Sequence, residues 1–344
     1  MYPFYLGIDL HLKRTYVVLM DQMGQILDER RLLNGEMQEY LNETVPKDTY
    51  AVLEATRNWP FMYDLLSDHV ERVELAHPKE LHLIAKAVIK DDPIDSKALA
   101  NLARLNYLPI AYAAPREIRD LRTYIRHRDW LITQRTRAKN RVHAMLAYYN
   151  LVSPVTDLFG SEGREFLDEV LPTIRPAARR VEIGRLALID HLNENIQVLE
   201  NELKLTPEQK DKIKLLSTMP CVGRITAITI LAEIGDIRRF GNPKALCNWA
   251  GLTPRVRKSD QAVHHGRISK QGSSYLRAAM TRAASVASRR SKRWYHVHEK
   301  LAPRCGRKGA KVAVARRLLT VLYFMLTRNE PYMEDYNQHH AYDR

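Results

Sequence analysis

The sequence predicts an α/β domain at the N-terminus, a helical middle and a mostly α-helical C-terminal region. Two observations carry that division of the 344 residues: up to about residue 115 short apolar strand-like runs alternate with helical periodicity, and from Pro115 onward helical periodicity dominates. The third observation is charge. Lys and Arg number 54 against 40 Asp and Glu, a net +14, yet residues 255–317 alone hold 18 basic residues and only two acids, Asp260 and Glu299. Residues 116–143 hold nine basic and three acidic residues, which leaves the rest of the chain mildly acidic. A chain of this length buries a sizeable core unaided. Charge this concentrated points to a polyanionic partner, nucleic acid above all.

The elements follow in order. YLGIDLH (5–11), TYVVLMD (15–21) and ILDERRLL (26–33) are β-rich runs separated by short turns, which predicts an antiparallel meander. A polar helix near 36–44 leads to a strand over 49–55, a helix over 60–69, a strand over 70–77 and helical periodicity over 78–105. The order β-β-β-α-β-α-β-α gives a mixed sheet flanked by helices, the layout of the RNase H-like class. The domains expected are 1–115 for this sheet, 116–210 for a helical, coiled-coil-like region, 211–330 for the C-terminal region and 331–344 for a tail.

Within the middle region Ile189, Leu192, Ile196, Leu199 and Leu203 recur at spacings of three and four, an a/d seam of about two heptads. That seam suits packing within its own domain as well as an intermolecular zipper. The C-terminal region opens with a turn at 220–223 between two apolar helical segments, as in a helix-hairpin-helix. There Gly223 and Arg224 can approach a phosphate at a helix N-terminus.

Other classes are excluded. Cys221, Cys247 and Cys305 show no CxxC spacing, so neither a disulfide framework nor a zinc site is expected, and a reduced, cytoplasmic setting is. No basic leader precedes an apolar stretch, and the longest apolar run, LLTVLYFML at 318–326, is half a membrane span.

Four acids carry the chemistry. Asp9 lies in the first strand and Glu54 at the end of the fourth, its expected neighbour in the sheet, so the two can meet at one edge. Asp92 and Asp95, three apart, open a helix and share its face. Four converging carboxylates need cations between them, and hard oxygen donors select Mg²⁺ or Mn²⁺, two such ions being the usual clamp for displacement at phosphorus. Taken singly, each acid also suits a structural role as a helix cap, a strand end or a buried polar group. GID in a β-meander also opens ATP-binding folds of the actin and hexokinase class. Those cradle phosphate on a glycine-rich or hydroxyl-rich hairpin, and here the hairpin reads His11, Leu12, Lys13, Arg14, Thr15.

With both halves in view, the sequence resembles the insertion-sequence 110 family of transposases, the DEDD recombinases guided by a bridge RNA. GIDLH, LEAT and KDDPIDSKALA carry the resemblance in the N-terminal half. PCVGRITAITILAEIGDIRRF, WAGLTPRVRKS and GRISKQGSSYLRAAMTRAA carry it in the C-terminal half. The resemblance implies a RuvC-like domain that binds divalent metal through Asp9, Glu54, Asp92 and Asp95, and a transposase domain whose nucleophile matches Ser259, with Ser269, Ser273 and Ser274 in reserve. Asp260 follows that serine where the family usually has Gly, and Cys221 and Arg57 also stand where Gly is common. A serine hydroxyl needs activation and nearby cations to attack phosphorus, and Arg255, Arg257 and Lys258 precede it. The resemblance further implies donor and target DNA, a structured noncoding RNA, and a dimer or tetramer with sites composed of both domains. Backbone contacts are expected from Arg119, Arg122 and Arg126 on one helical face and from Arg267, Lys270, Arg277 and Arg282. The readings left beside it are a related site-specific DNA invertase, a RuvC-like nuclease acting without a serine adduct, and a nucleic-acid-binding protein on an inactive scaffold.

Overall fold

A computed structural model of the chain describes residues 2–78, 80–81, 92–259 and 262–334. The chain divides into two compact units, Met1–Ala114 and Pro115–Arg344.

The first unit is a six-stranded mixed sheet in the order β3-β2-β1-β4-β5-β6. The meander is β1 (Phe4–Leu10), β2 (Arg14–Asp21) and β3 (Ile26–Leu33), all antiparallel. Helix α1 (Met37–Thr44) leads to β4 (Thr49–Glu54), which pairs parallel to β1. Helix α2 (Trp59–Ser67) then leads to β5 (Arg72–Ala76), parallel to β4. A short β6 (Ile110–Ala111) closes the edge against β5.

Period-two alternation sends successive side chains to opposite faces. Leu6, Ile8, Leu10, Ala51 and Leu53 pack with Met37, Leu41, Met62 and Leu66 of α1 and α2. Tyr5, Val18, Met20, Tyr50 and Val52 pack with Leu99, Ala100 and Ala103 of α3 (Asp92–Arg104). Burying both faces explains why β1 and β4 are apolar throughout except at their ends. The stretch 82–91, part of the helical periodicity expected over 78–105, lies outside the described residues.

The second unit begins with α4 (Arg116–Tyr148), which runs antiparallel to α6 (Pro176–Glu202). Arg128 pairs with Glu200 and Arg135 with Asn193, and Leu131 packs on Leu192 and Ile196. Ile189 of the seam meets Val142 beside α5 (Ser161–Val170). The seam is therefore covered by α4 of its own chain, the intramolecular alternative of the two that its periodicity allowed.

The remaining core joins the start of α4, through Leu121 and Ile125, to α7 (Pro207–Ser217), α8 (Arg224–Ile234), α9 (Pro243–Trp249), α10 (Ser274–Arg290) and α11 (Lys292–Arg328). One feature differs from the helical expectation. Between α9 and α10 an antiparallel pair is inserted, β7 (Pro254–Ser259) with β8 (Ala262–Ile268). Among the described residues no helix is long and apolar enough to cross a membrane.

Candidate active site and nucleic-acid interface

Strand register places the first two acids. Ile8 pairs with Leu53 across the parallel β1–β4 ladder, and Asp9 and Glu54 are the next residues on their strands. Asp9 shares its parity with Tyr5 and Glu54 shares its own with Tyr50 and Val52, so both belong to the sheet face that α3 covers.

That helix is seated closely. A Cβ added to Gly7 would fall 1.9 Å from the Ser96 carbonyl oxygen and 2.8 Å from the Ala100 nitrogen, so only glycine lets α3 lie directly on β1. Ser96, fully buried, donates from Oγ to the Tyr16 carbonyl at 3.0 Å and accepts the Asp9 N–H at 3.1 Å. Asp95, the residue before Ser96, thereby stands in the first turn of a helix bonded to the backbone of Asp9. The side chain of Asp92, first residue of α3, lies outside the described part of the structure.

Around Asp9 the neighbours are polar. His11 Nε2 lies 3.1 Å from Asp9 Oδ2. The His11 carbonyl accepts from Asn58 Nδ2 at 2.9 Å and Asn34 Nδ2 at 3.1 Å, which ties the β1–β2 turn to the segments after β4 and β3. Sequence reasoning passed over both asparagines, whose partners lie 47 and 23 residues away. The donor set suits a hard divalent cation, with carboxylates from two adjacent strand ends and the overlying helix. Among the described residues no group of three or more His, Cys, Asp or Glu stands close enough to hold an ion.

Ser259 is the last residue of β7 and pairs in register with Ala262; its side chain and those of Arg257 and Lys258 lie outside the described part. The root of the hairpin is well defined. Gly251 has φ +68° and its Cβ would fall 2.2 Å from the Gln271 oxygen. Gly272 has φ +77° and its Cβ would fall 1.7 Å from the Trp249 oxygen. The two segments thus cross at backbone contact, and the left-handed φ values admit glycine. Ser269 N donates to the Thr253 oxygen at 2.9 Å and Lys270 N to the Gly251 oxygen at 3.3 Å, which continues the closure.

An ion-pair clamp holds the start of α10 beside that root. Glu233, 1% exposed, accepts from Arg126 Nε at 2.9 Å and Nη2 at 3.0 Å, and from Ser273 Oγ at 2.8 Å. Ser273 also caps α10 by accepting from Leu276 N at 3.0 Å. Its hydroxyl is committed to that cap, Ser269 lies just after β8, and Ser274 is the first residue of α10. Arg122 donates to the Ala232 oxygen at 2.7 Å and the Glu233 oxygen at 3.1 Å, and Arg277 to the Ala250 oxygen at 3.1 Å. Glu233 escaped sequence reasoning because ITILAEIG reads as an apolar helix with one stray acid.

The remaining expected contacts divide by exposure. Arg224, Arg267 and Lys270 are exposed, and Arg255 is exposed with one bond to the Ser269 oxygen at 3.3 Å. Arg282 lies 3.7 Å from Asp129, and Arg119 is partly buried on α4. Gly223 precedes α8 in extended conformation with open space where a Cβ would stand. Cys221 and Cys247 are buried and Cys305 is exposed, all as free thiols, and burial pushes the Cys221 thiol up to about 11.

Comparison with known proteins agrees with this architecture. The DEDD transposase family model of the IS110 type matches residues 6–151, and the model described as transposase IS116/IS110/IS902 family matches residues 213–299. The transposase for insertion sequence element IS1111A of Coxiella burnetii is 25% identical over 343 residues, covering 95% of this chain and 90% of that protein. A probable family 20 transposase of Pseudomonas aeruginosa is 23% identical over 344 residues, with 95% and 98% covered. The pilin gene-inverting protein of Moraxella bovis is 30% identical over 154 residues, 42% of this chain and 47% of that protein. With both family models in chain order and relatives matched nearly end to end, the chain belongs to the IS110/IS116/IS902 family of transposases, with a DEDD N-terminal domain.

Proposed function

We propose that the chain moves its insertion sequence by cleaving and rejoining DNA through a serine ester, with Asp9, Glu54, Asp92 and Asp95 holding two Mg²⁺ or Mn²⁺ ions and Ser259 as nucleophile. The observation that carries the reading is the pairing of β1 with β4, which sets Asp9 and Glu54 at adjacent strand ends under α3. A divalent cation, when bound, supplies charge neutralisation at the phosphate under attack. The carboxylates hold and orient it, and Ser96 keeps the helix bearing Asp95 against the strand bearing Asp9.

The covalent step balances without an energy source. Ser259 Oγ forms a bond to phosphorus as the P–O bond of the strand breaks, the serine proton leaves and the departing oxygen gains one. Attack by a new strand's hydroxyl reverses the exchange and frees the serine. Arg255, Arg257, Lys258, Arg267 and Lys270 would neutralise the phosphates around the hairpin, with Arg224 and Arg282 further along the backbone. A structured noncoding RNA that pairs with donor and target DNA, a homo-oligomeric assembly and a cytoplasmic location complete the reading. The pilin gene-inverting relative favours a second outcome of the same chemistry, inversion of a segment in place of its transfer.

The test uses the full chain and a suicide duplex carrying an element end, in which cleavage traps the protein covalently on a denaturing gel. Ser259→Ala should lose the adduct, with cleavage reduced by about three orders of magnitude or more. Asp9→Asn should lose both while DNA binding remains. Cutting by Ser259→Ala at the normal rate would sink the serine mechanism.

A further inference from the structure

The two edges of the N-terminal sheet differ in length. On one side β6 has two residues, and an edge that short gives another chain little to pair with. On the other, β3 runs for eight residues, and among the described residues no strand pairs with its outer side. The usual guards of an open edge are sparse there. β3 contains neither proline nor lysine. Its one irregularity, a register shift opposite Leu19 and Met20, makes Leu27 the extra residue and leaves residues 28–33 regular.

The charges along that edge complement themselves. The strand reads ILDERRLL, with Glu29, Arg30 and Arg31 exposed. Arg30, which lies over the Tyr40 ring of α1, donates to Asp28 from Nε at 2.8 Å and from Nη2 at 2.7 Å, so those two charges already neutralise each other. Glu29 and Arg31 belong to the opposite face of the strand. Glu29 Oε1 accepts from Tyr16 Oη at 2.6 Å, a neutral partner that leaves the carboxylate its charge.

A second copy can join this edge antiparallel, about a two-fold axis normal to the sheet. Directly opposed residues then share a face, so the axis must pass through a residue that pairs with its own equivalent. With the axis at Arg30, Glu29 of each copy stands opposite Arg31 of the other, two opposite-charge pairs on one face. The two Arg30 side chains meet at the axis, each matched by its own Asp28. An axis at Glu29 would oppose two carboxylates, an axis at Arg31 two guanidiniums, and neither sets Glu29 opposite Arg31.

We propose that β3 docks onto β3 of a second copy of this chain, antiparallel and centred on Arg30. Arg30 pairs with Val17 and Val17 with Ile8, so Asp9 lies one residue from the two-fold row. The joined sheet would carry two Asp9–Glu54 sites on one face, five strand spacings or about 24 Å apart across the strands. Paired sites at a fixed spacing suit an enzyme that acts on more than one strand. The proposal rests on the reading of the chain as a homo-oligomeric transposase and names a surface for that assembly.

The test uses the full chain with Cys305→Ser, which removes the exposed native thiol, and a short bismaleimide cross-linker. Arg30→Cys should cross-link copy to copy, while Glu71→Cys, exposed just before β5, should not. Adding either Glu29→Arg or Arg31→Glu sets like charges opposite each other at both pairs and should slow the cross-link about tenfold. The double exchange Glu29→Arg/Arg31→Glu should restore it, because each new charge again meets its opposite. The two single exchanges reach the same repulsion independently, so failure of one to fold leaves the other to decide. Cross-linking no faster than at Glu71→Cys, or indifferent to the single exchanges, overturns the proposal. Sedimentation of the unaltered chain separates the two failures: an oligomer that does not cross-link at Arg30→Cys assembles by another surface and keeps the wider reading, whereas a monomer defeats both.

Discussion

The two units hold their chemistry in place by different physics. In the N-terminal unit the acid-bearing strand end is fixed by neutral, close-packed contacts: Gly7 gives α3 room to touch β1, and the Ser96 hydroxyl bridges the helix to the backbones of Asp9 and Tyr16. In the C-terminal unit the root of the serine hairpin crosses at two left-handed glycines, and a charged clamp of Arg126, Glu233 and Ser273 holds the adjoining helix. A metal site of the kind proposed would gain from an anchor that adds no charge to compete with the cation. A hairpin proposed to face phosphates can tolerate a charged anchor whose acid is buried. One unit should therefore fail sterically and the other electrostatically.

The largest effect is expected from Gly7→Ala. Its methyl meets backbone atoms at 1.9 and 2.8 Å, so α3 must move as a body. Overpacking of this kind costs about 1–3 kcal/mol and occasionally more. The lowest thermal transition of the full chain should fall, equally at low and high salt, because no charge is involved. Amide exchange at Asp9 should accelerate as its bond to Ser96 is lost. An unchanged transition with slow exchange at Asp9 would mean that α3 does not lean on β1, and the steric half of the comparison would break.

How much of this the sequence disclosed depends on the range of the contacts. The β-β-β-α-β-α order was legible because apolar alternation is local, and the adjacency of the strands that carry Asp9 and Glu54 followed from the strand order. The β7–β8 pair was not legible, since RVRKS and VHHGRIS lack a clean apolar alternation and read as a basic loop. Glu233 was invisible for another reason, its partners Arg126 and Ser273 lying 107 and 40 residues away. Charge counting likewise located Arg122, Arg126 and Arg277 as cations without showing that carbonyls and a buried carboxylate already engage them. The seam of α6 was visible as periodicity, but only the fold shows that α4 covers it.

Glu233→Gln tests the electrostatic half. Glutamine keeps the shape but presents one NH₂ toward donors that need an acceptor, so in either orientation Arg126 loses one of its two bonds. Losing one partner of a fully buried pair costs about 3–5 kcal/mol, but Arg126 is 44% exposed and water recovers part, so about 1–2 kcal/mol is expected. The loss should shrink in high salt, unlike that of Gly7→Ala. The Glu233 carboxylate beside it raises Arg126 above the usual guanidinium range, so the cation itself stays charged at any working pH. Arg126→Lys should recover part of the stability and not the bidentate geometry. Equal salt dependence for the Gly7 and Glu233 variants would erase the distinction between the units.

The smallest effect sharpens the comparison within the C-terminal unit, where two acids are buried with unequal service. Both oxygens of Glu233 are bonded, whereas Glu182, 2% exposed, pairs with Arg185 through Oε1 and leaves Oε2 without a hydrogen-bond partner among the described residues. Burial pushes the Glu182 carboxyl up, against the weaker downward pull of Arg185. A carboxyl raised in the folded state favours folding most below its unfolded value of 4.5, and that contribution is lost as pH rises through the folded value. At neutral pH the ionised group is thus a cost, and Arg185, one-third exposed, can find water once released. Glu182→Gln should therefore stabilise the chain at pH 7 by about 0.5–1 kcal/mol. Below pH 4.5, where the wild-type carboxyl is protonated in both states, the gain should vanish. Thermal unfolding at the two pH values reads this directly. A lower melting temperature at pH 7 would mean that the Arg185 pair outweighs the burial, and that how completely a buried acid is bonded does not decide which acid this fold can spare.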